Sequence, residues 1–215
     1  MKTIILLLTI SYLSLLSAND TSSEPRSSED NGIYLRVGGV LSDGSAKLRQ
    51  TDYSTISPLS NTQVVGAIGN AFDFTLGYEK SNYNVRFFVN VKMAYDDIGE
   101  YELKSTRTGV GLEGYTAFKS INFNYGCSIA GGGSDFTMVK DSDFAETAKF
   151  LGIEPYIGLD GLIVGSLGYY ARLAYEVKGY DEFRRTTTIG GSTEDVADAF
   201  VVHLVNLGFG FSYKF

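Results

Sequence analysis

Few residues of this chain are of a type that could carry out chemistry. The 215 residues include one histidine, His203, and one cysteine, Cys127. A transition-metal site needs several such ligands, and a hydrolytic site needs a nucleophile beside a base. His203 has no serine two residues on, so we interpret it as a polar residue at an interface, and Cys127 as a small residue on an apolar face. The sequence therefore predicts no catalytic residue, no metal and no cofactor.

Two glycine-rich motifs resemble ligand-binding loops. Residues 109–114, GVGLEG, fit the dinucleotide pattern, but that pattern needs a helix directly after it, and here a strand pattern continues to Phe118. Residues 130–135, AGGGSD, could form an anion-binding nest, but we interpret them as the flexible start of a loop. Neither motif predicts a binding site.

Charged residues of both signs recur at alternate positions between apolar ones. In a narrow interior they could neutralise one another as ion pairs, or they could line a narrow polar path. The filled interior is the default interpretation, because eight strands leave no aqueous channel. The predicted lumen charges are Asp73, Arg86, Lys92, Arg107, Glu113, Glu154, Arg172 and Glu176. The net charge of the chain is -7, which argues against nucleic acid as a partner.

Eight segments with strict alternation must position these charges. Alternation over 9–11 residues predicts β-strands. The segments are residues 33–41, 71–79, 83–93, 107–118, 121–130, 150–159 and 163–178 and the C-terminal stretch. Tight turns are predicted at EKSN (79–82), KS (119–120) and DG (160–161), and long polar loops at 42–69, 94–106, 131–147 and 179–198. All long loops then lie at one end of the sheet.

The N-terminus is predicted to be separate from the fold. Residues 1–18 combine Lys2 with an apolar run and end in Ser17 and Ala18, which indicates a secretory signal peptide. Residues 19–31 are polar and serine-rich and predict a disordered leader. Residues 32–215 form one domain, and a single cysteine means that this exported chain has no internal disulfide.

Alternation alone does not say which face meets water. A lipocalin-like barrel keeps its apolar face inside, whereas a membrane barrel turns it outward. The strand length matches a bilayer crossing, and aromatic residues cluster near the short turns, as an interfacial girdle requires. The girdle residues are Tyr78, Tyr83, Phe118, Phe123, Tyr213 and Phe215. We therefore predict an all-β fold, a closed eight-stranded antiparallel up-and-down transmembrane β-barrel.

The C-terminal stretch LVNLGFGFSYKF resembles the assembly signal of Gram-negative outer-membrane proteins, which ends on Phe. The residues that carry the resemblance are Leu207, Phe209, Phe211, Tyr213 and Phe215. Residues 32–215 resemble the small eight-stranded barrels typified by the membrane domain of outer-membrane protein A and by outer-membrane proteins X and W, although this chain has no Trp. The resemblance implies a monomer in the bacterial outer membrane, with outer-membrane lipid and the barrel assembly machinery as partners.

The resemblance also implies a function. The expected role is non-enzymatic, structural or surface-interacting, with four long external loops that contact a host or surface ligand. A narrow pore for small solutes is the main alternative. A soluble lipocalin-like ligand carrier and a lipid-modifying barrel enzyme are further alternatives, and the absence of a His–Ser pair counts against the enzyme.

Overall fold

The alternating segments form antiparallel strands that run well past their predicted ends. The computed structural model describes residues 31–52, 59–118, 120–138, 141–181, 183–189 and 192–215. Its strands are β1 (Gly32–Asp52), β2 (Leu59–Lys80), β3 (Val85–Ile98), β4 (Tyr101–Phe118), β5 (Ile121–Met138), β6 (Asp141–Val164), β7 (Leu167–Tyr180), β8 (Phe183–Ile189) and β9 (Ser192–Lys214). A short 3-10 turn, Ser81–Tyr83, joins β2 to β3. In the described part of the chain, no helix is long and apolar enough to cross a membrane.

Eight strands close into a ring. Each of β1 to β6 pairs with the next strand, β7 pairs with β9, and β9 pairs back with β1 from Tyr34–Lys214 to Asp52–Val196. The last backbone N–H, that of Phe215, donates to the carbonyl of Ile33 at 2.9 Å. The predicted eight-stranded up-and-down barrel is confirmed, and the terminal strand seals it.

β8 is an extension of β7 and not a further strand of the ring. β7 pairs with residues 201–213 of β9, and β8 pairs with residues 192–198 of the same strand. β7 and β8 therefore follow one another along a single edge of β9. On their other side, the pairing of β6 with β7 ends at Phe150–Tyr180, and among the described residues no ladder joins β6 to β8.

The prediction of long polar loops is wrong for the described residues. β3 and β4 meet at the two-residue turn Gly99–Glu100, where Gly99 has a φ of 60°. β5 continues to Met138, β6 begins at Asp141, and β8 and β9 occupy most of residues 179–198. The loops are in fact strand extensions. Residues 53–58, 119, 139–140, 182 and 190–191 lie outside the described residues, as do the predicted signal peptide and the leader up to residue 30.

The turns at the other end lie close to their predicted places, with one exception. β4 ends at Phe118 and β5 begins at Ile121, on either side of the predicted KS turn. The predicted turn at Asp160–Gly161 is wrong, because β6 continues to Val164 and turns at Gly165, whose φ is 55°. Ile163 and Val164, predicted to start the seventh strand, therefore end the sixth.

The side on which apolar residues lie switches partway along several strands. On β3, Phe87 and Val91 point outward, whereas Ala94 and Ile98 point into the barrel. The same switch occurs on β1, β4 and β9. These strands have a lower part with an apolar exterior and an upper part with an apolar interior. We call the upper zone of the barrel the outer shaft, and it comprises residues 43–52, 59–70, 94–98, 101–106, 131–138, 141–150, 178–180, 183–189 and 192–204.

Candidate functional site

An apolar exterior surrounds the lower part of the barrel. On β1 it extends over nine residues, from Ile33 to Leu41, which matches a tilted bilayer crossing. The most exposed members include Ile33, Leu76, Phe87, Val110, Leu112, Ile129, Ile157, Leu173 and Phe211. The predicted girdle residues all point outward at the short-turn end. We call this surface the belt.

Behind the belt, the barrel interior is charged. Every one of the eight predicted lumen charges is buried and faces inward. A soluble carrier would have its apolar face inside, so that alternative is wrong. The chain is a membrane-spanning β-barrel of the outer-membrane type.

The buried charges form layers, and the layer nearest the short turns is built around Glu113. Arg36 Nη1 and Nη2 donate to the two oxygens of Glu113 at 2.8 and 2.9 Å, and Arg86 Nη1 donates to Glu113 Oε1 at 2.6 Å. Arg86 also donates to Glu79 at 2.7 Å and to Asp160 at 2.9 Å. The Glu113 carboxylate thus accepts hydrogen bonds from two guanidinium groups, and such charged hydrogen bonds are strong.

The middle layer surrounds two carboxylates. Lys92 Nζ donates to Glu154 at 2.9 Å and to Glu176 at 3.0 Å, and Arg107 donates to both carboxylates at 2.6 Å. Arg172 Nη2 donates to Asp73 at 2.7 Å and lies 3.4 Å from Glu154. The side chains come from β2, β3, β4, β6 and β7, so this layer cross-links strands on all sides of the lumen.

In the top layer, a charged pair lies next to a group of aromatic rings. Lys178 Nζ donates to Asp96 at 2.9 Å. Above this pair, the rings of Phe136 and Phe200 stack with centroids 5.3 Å apart, and Tyr101 lies edge-on to Phe200 at 5.2 Å. We call the inward rings of the outer shaft the aromatic septum: Tyr101, Phe136, Phe150, Tyr180 and Phe200. The septum rings belong to one buried apolar cluster, which is the core of the shaft.

The signs of the lumen charges balance. The acids are Asp73, Glu79, Asp96, Glu113, Glu154, Asp160 and Glu176. The cations are Arg36, Arg86, Lys92, Arg107, Arg172, Lys178 and Lys214. Seven of each face one another among the described residues, which offsets the cost of removing so much charge from water. We call these fourteen side chains the lumen network.

Sequence reasoning missed part of this network. Arg36 lies opposite the apolar face of the first segment, and Lys214 opposite that of the last, so the alternation could have identified both. Asp160 was assigned to a turn that does not form there. Asp96 was placed in a predicted loop and Lys178 at the edge of one, so neither was considered as a lumen residue.

Glycines of the two glycine-rich motifs, GVGLEG and AGGGSD, leave space for neighbouring residues in the barrel wall. A Cβ on Gly111 would collide with the ring of Phe88, and one on Gly109 would lie 2.6 Å from Asn90 Oδ1. The GVGLEG segment lies within β4 and the AGGGSD segment within β5. Neither precedes a helix.

The isolated histidine and cysteine lie on the outer surface. His203 Nδ1 lies 2.9 Å from the Tyr175 hydroxyl, at the upper edge of the belt. Ser45 is the cross-strand neighbour of His203, but the described hydrogen bonds include none between them. Cys127 is partly exposed and unpaired. Among the described residues, no cluster of potential metal ligands is found.

The lumen contains a polar cavity of about 20 Å³ at the short-turn end, between Arg36, Glu79, Arg86 and Asp160. That volume holds about one water molecule. Above it, the lumen network and the septum fill the interior, as expected for eight strands. This arrangement favours a closed barrel over a solute path.

Comparison with protein-family models finds no match, and neither does comparison with curated proteins. Among solved structures, the chain is similar to Neisserial surface protein A at a TM-score of 0.48 and 14% identity, over 87% of this chain and 100% of that one.

Two further similar structures are the outer membrane protease OmpT from Escherichia coli and the attachment invasion locus protein Ail of Yersinia pestis. For OmpT the TM-score is 0.41 at 9% identity, over 90% of this chain and 99% of that one. For Ail it is 0.35 at 12% identity, over 81% and 98%. Similarity at this level carries no assignment of function to this chain.

Proposed function

We propose that this chain is a non-enzymatic protein of the bacterial outer membrane that acts in surface interaction, as an adhesin or displayed antigen. The observation that carries the proposal is the outer shaft. β1, β3, β4 and β9 continue past the belt with an apolar interior, and charged residues such as Asp97, Glu102 and Lys104 lie on the exterior of β3 and β4. On β1 alone the shaft contains ten residues, or about 30 Å of strand. A structure that served only to cross the bilayer would have no use for this length.

The contact surface on this proposal is the set of hairpin ends at the top of the shaft. Binding residues commonly lie on connections held by a rigid scaffold. Here the scaffold is the shaft itself, since the septum fixes the strands beneath the tips. The partner is a host or surface ligand, lipid surrounds the belt, and the barrel is a monomer.

The proposal requires the shaft to face outward from the cell. An epitope tag inserted between Gly99 and Glu100 is expected to bind antibody on intact cells. The matched control has the same tag between Gly165 and Ser166, at the opposite end, and is expected to bind only after permeabilisation. The reverse pattern would contradict the proposal.

Surface interaction itself is tested by adherence. A non-adherent Gram-negative host that expresses the chain is expected to bind cultured host cells or immobilised extracellular proteins more than the same host with an empty vector. Equal binding with the tag at Gly99–Glu100 displayed on the surface would argue against an adhesive role.

A further inference from the structure

The belt contains a groove on its outer surface, where β2, β3, β4 and β5 lie side by side. The groove has a volume of about 710 Å³ and lies toward the short turns. Its two walls are rows of outward-facing side chains that follow the ladders from strand to strand. One row includes Leu76, Val89 and Val110, and the other includes Tyr78, Phe87 and Leu112. We call this feature the belt groove.

The floor of the belt groove is backbone. Gly77, Phe88 and Gly111 pair with one another between the two rows. Phe88 points into the barrel and the glycines have no side chain, so the space between the walls stays open. The groove extends from Ile33 on β1 to Ile129 on β5, which is about 19 Å at the usual spacing of strands. It is therefore a long, narrow and apolar channel.

A positive charge lies at the short-turn edge of the belt groove. Lys80 is two residues beyond Tyr78 on the same outward face of β2, and its Nζ lies 4.9 Å from the centroid of the Tyr83 ring. Tyr83 is a girdle residue and 69% exposed. Glu79, the neighbour of Lys80, points inward and pairs within the lumen network. The ammonium group of Lys80 is thus held at the membrane interface, where the polar groups of lipids lie.

We propose that the belt groove and Lys80 together bind one anionic phospholipid, with an acyl chain in the groove and the phosphate at Lys80. The groove is continuous with the belt, which contacts lipid, and a hydrocarbon chain matches its length and its apolar walls. An ammonium group at the interface attracts anionic lipid. A polypeptide strand does not fit, because its backbone polar groups would have no partners in the groove. This site is independent of the proposed surface function.

An introduced tryptophan can report on the groove, because the chain has none of its own. Phe87→Trp places the probe in a wall of the groove, and Phe211→Trp places it on β9, outside the groove. Both native side chains are outward-facing aromatic rings of the belt, with exposed fractions of 54% and 63%. Phosphatidylglycerol with brominated acyl chains quenches tryptophan. It is titrated into each full mature variant in dodecylmaltoside micelles.

The two variants are expected to respond differently. Quenching of the Phe87→Trp variant should saturate at one lipid per barrel, because the groove holds a single acyl chain in place. Quenching of the Phe211→Trp variant should rise slowly without saturation, as for lipids that exchange along the belt. Equal curves for the two variants would mean that the groove holds no particular lipid, and would overturn the proposal.

A substitution of Lys80 tests the headgroup contact. In the Phe87→Trp background, Lys80→Ala is expected to weaken the affinity for brominated phosphatidylglycerol about fivefold, since an interfacial lysine attracts anionic lipid by about that factor. Lys47→Ala, which removes an exposed cation of the outer shaft, is the control and should leave the affinity unchanged. Equal affinities for the two substitutions would overturn the assignment of an anionic phospholipid. Equal binding of a brominated diacylglycerol, which has no phosphate, would also overturn it.

The native cysteine allows the groove to be blocked after folding. Cys127 lines the groove and is partly exposed. An alkyl maleimide attached to Cys127 of the folded barrel is expected to remove the saturable quenching. The same reagent on Leu207→Cys in a Cys127→Ser background is the control, because Leu207 is outward-facing on β9 and outside the groove. Saturable quenching that survives the block at Cys127 would overturn the location.

The same cysteine separates a lipid from a second copy of the chain. If a lipid occupies the groove, mild oxidation is expected to leave the barrels monomeric in the presence of phosphatidylglycerol. Disulfide-linked dimers through Cys127 that form equally well with and without the lipid would identify a second copy as the occupant and would overturn the proposal.

Discussion

Arg36 of β1 and Glu113 of β4 form a two-point ion pair across the lumen, with both guanidinium nitrogens within 2.9 Å of a carboxylate oxygen. The two residues are 77 positions apart in the chain. Glu113 also accepts from Arg86 and from the Tyr156 hydroxyl at 2.9 Å. This carboxylate is therefore the anchor of the layer nearest the short turns.

Replacing Glu113 with Ala is expected to lower the free energy of unfolding by about 3–5 kcal/mol, because it removes the carboxylate that two buried guanidinium groups share and leaves their charge less compensated. The measurement is urea unfolding in lipid vesicles, with the loss of heat-modifiable migration on gels as a second readout. Glu102→Ala, on the exposed face of the same strand, is the control and should unfold like the wild type. Similar midpoints for both variants would contradict the role of the lumen network.

Arginine substitutions test the position of the belt. Val89→Arg on β3 is expected to cost about 2–4 kcal/mol, because Val89 is outward-facing in the lipid zone. Asp97→Arg, on the same face of the same strand in the outer shaft, should cost about 0–1 kcal/mol. The comparison uses unfolding in vesicles. If Asp97→Arg lowers the free energy of unfolding as much as Val89→Arg, the bilayer must also cover the shaft.

The septum is expected to hold the shaft together independently of lipid. Phe136→Ala should lower the free energy of unfolding by about 3–5 kcal/mol, since this ring is fully buried against Phe200 and Tyr180. Limited proteolysis on intact cells should then cut the shaft faster than in the wild type. Thr106→Ala, on the polar exterior, should leave the cleavage rate unchanged. Equal rates for both would mean that the septum is not a stabilising core.

Planar-bilayer recordings test whether the lumen conducts. The purified barrel is expected to give no unitary current steps in concentrated potassium chloride, because the lumen network and the septum fill the interior. Lys92→Ala with Arg107→Ala removes cations from the middle layer and should still give no steps, since the septum remains. Resolved current steps from the wild-type protein would support a narrow pore as its function.

The C-terminal residue is expected to act in assembly as well as in the girdle. Phe215 and Phe118 are both 72% exposed at the short-turn end, which makes them a matched pair. If the terminal stretch is an assembly signal, Phe215→Ala will reduce the amount of heat-modifiable protein in the outer membrane several-fold more than Phe118→Ala. Equal losses would mean that Phe215 contributes only apolar surface.

Most of the lower half of the barrel was predictable because one pattern dominates it. From Ile33 to Leu41, and in the seven matching segments, most apolar residues lie on the lipid side, with exceptions such as Val40 and Phe88 that point inward. Strand type, strand number and the inward face of Arg86 or Glu154 therefore follow from alternation. The pattern reverses where the shaft begins. On β9, Val205 points outward, whereas Leu204 and Val202 in the shaft point inward. A search for one continuous apolar face therefore interprets the shaft part of the strand as a loop.

The partners of the lumen charges were not predictable from the same pattern. Alternation places Asp73 and Arg172 inside, but not next to each other, and they lie 99 residues apart in the chain. Which inward residues share a level depends on the stagger of all eight strands around the ring. No single segment carries that information.

The continuity of the strands through belt and shaft has a mechanical consequence. β1 to β6 and β9 pass from one zone to the other without a hinge, and each is joined to its neighbours by ladders along much of its length. A pull on a hairpin tip therefore loads many hydrogen bonds in shear at once instead of unzipping them singly. If the shaft faces outward from the cell, we expect fluid drag to tilt the belt and the shaft together instead of bending a single hairpin.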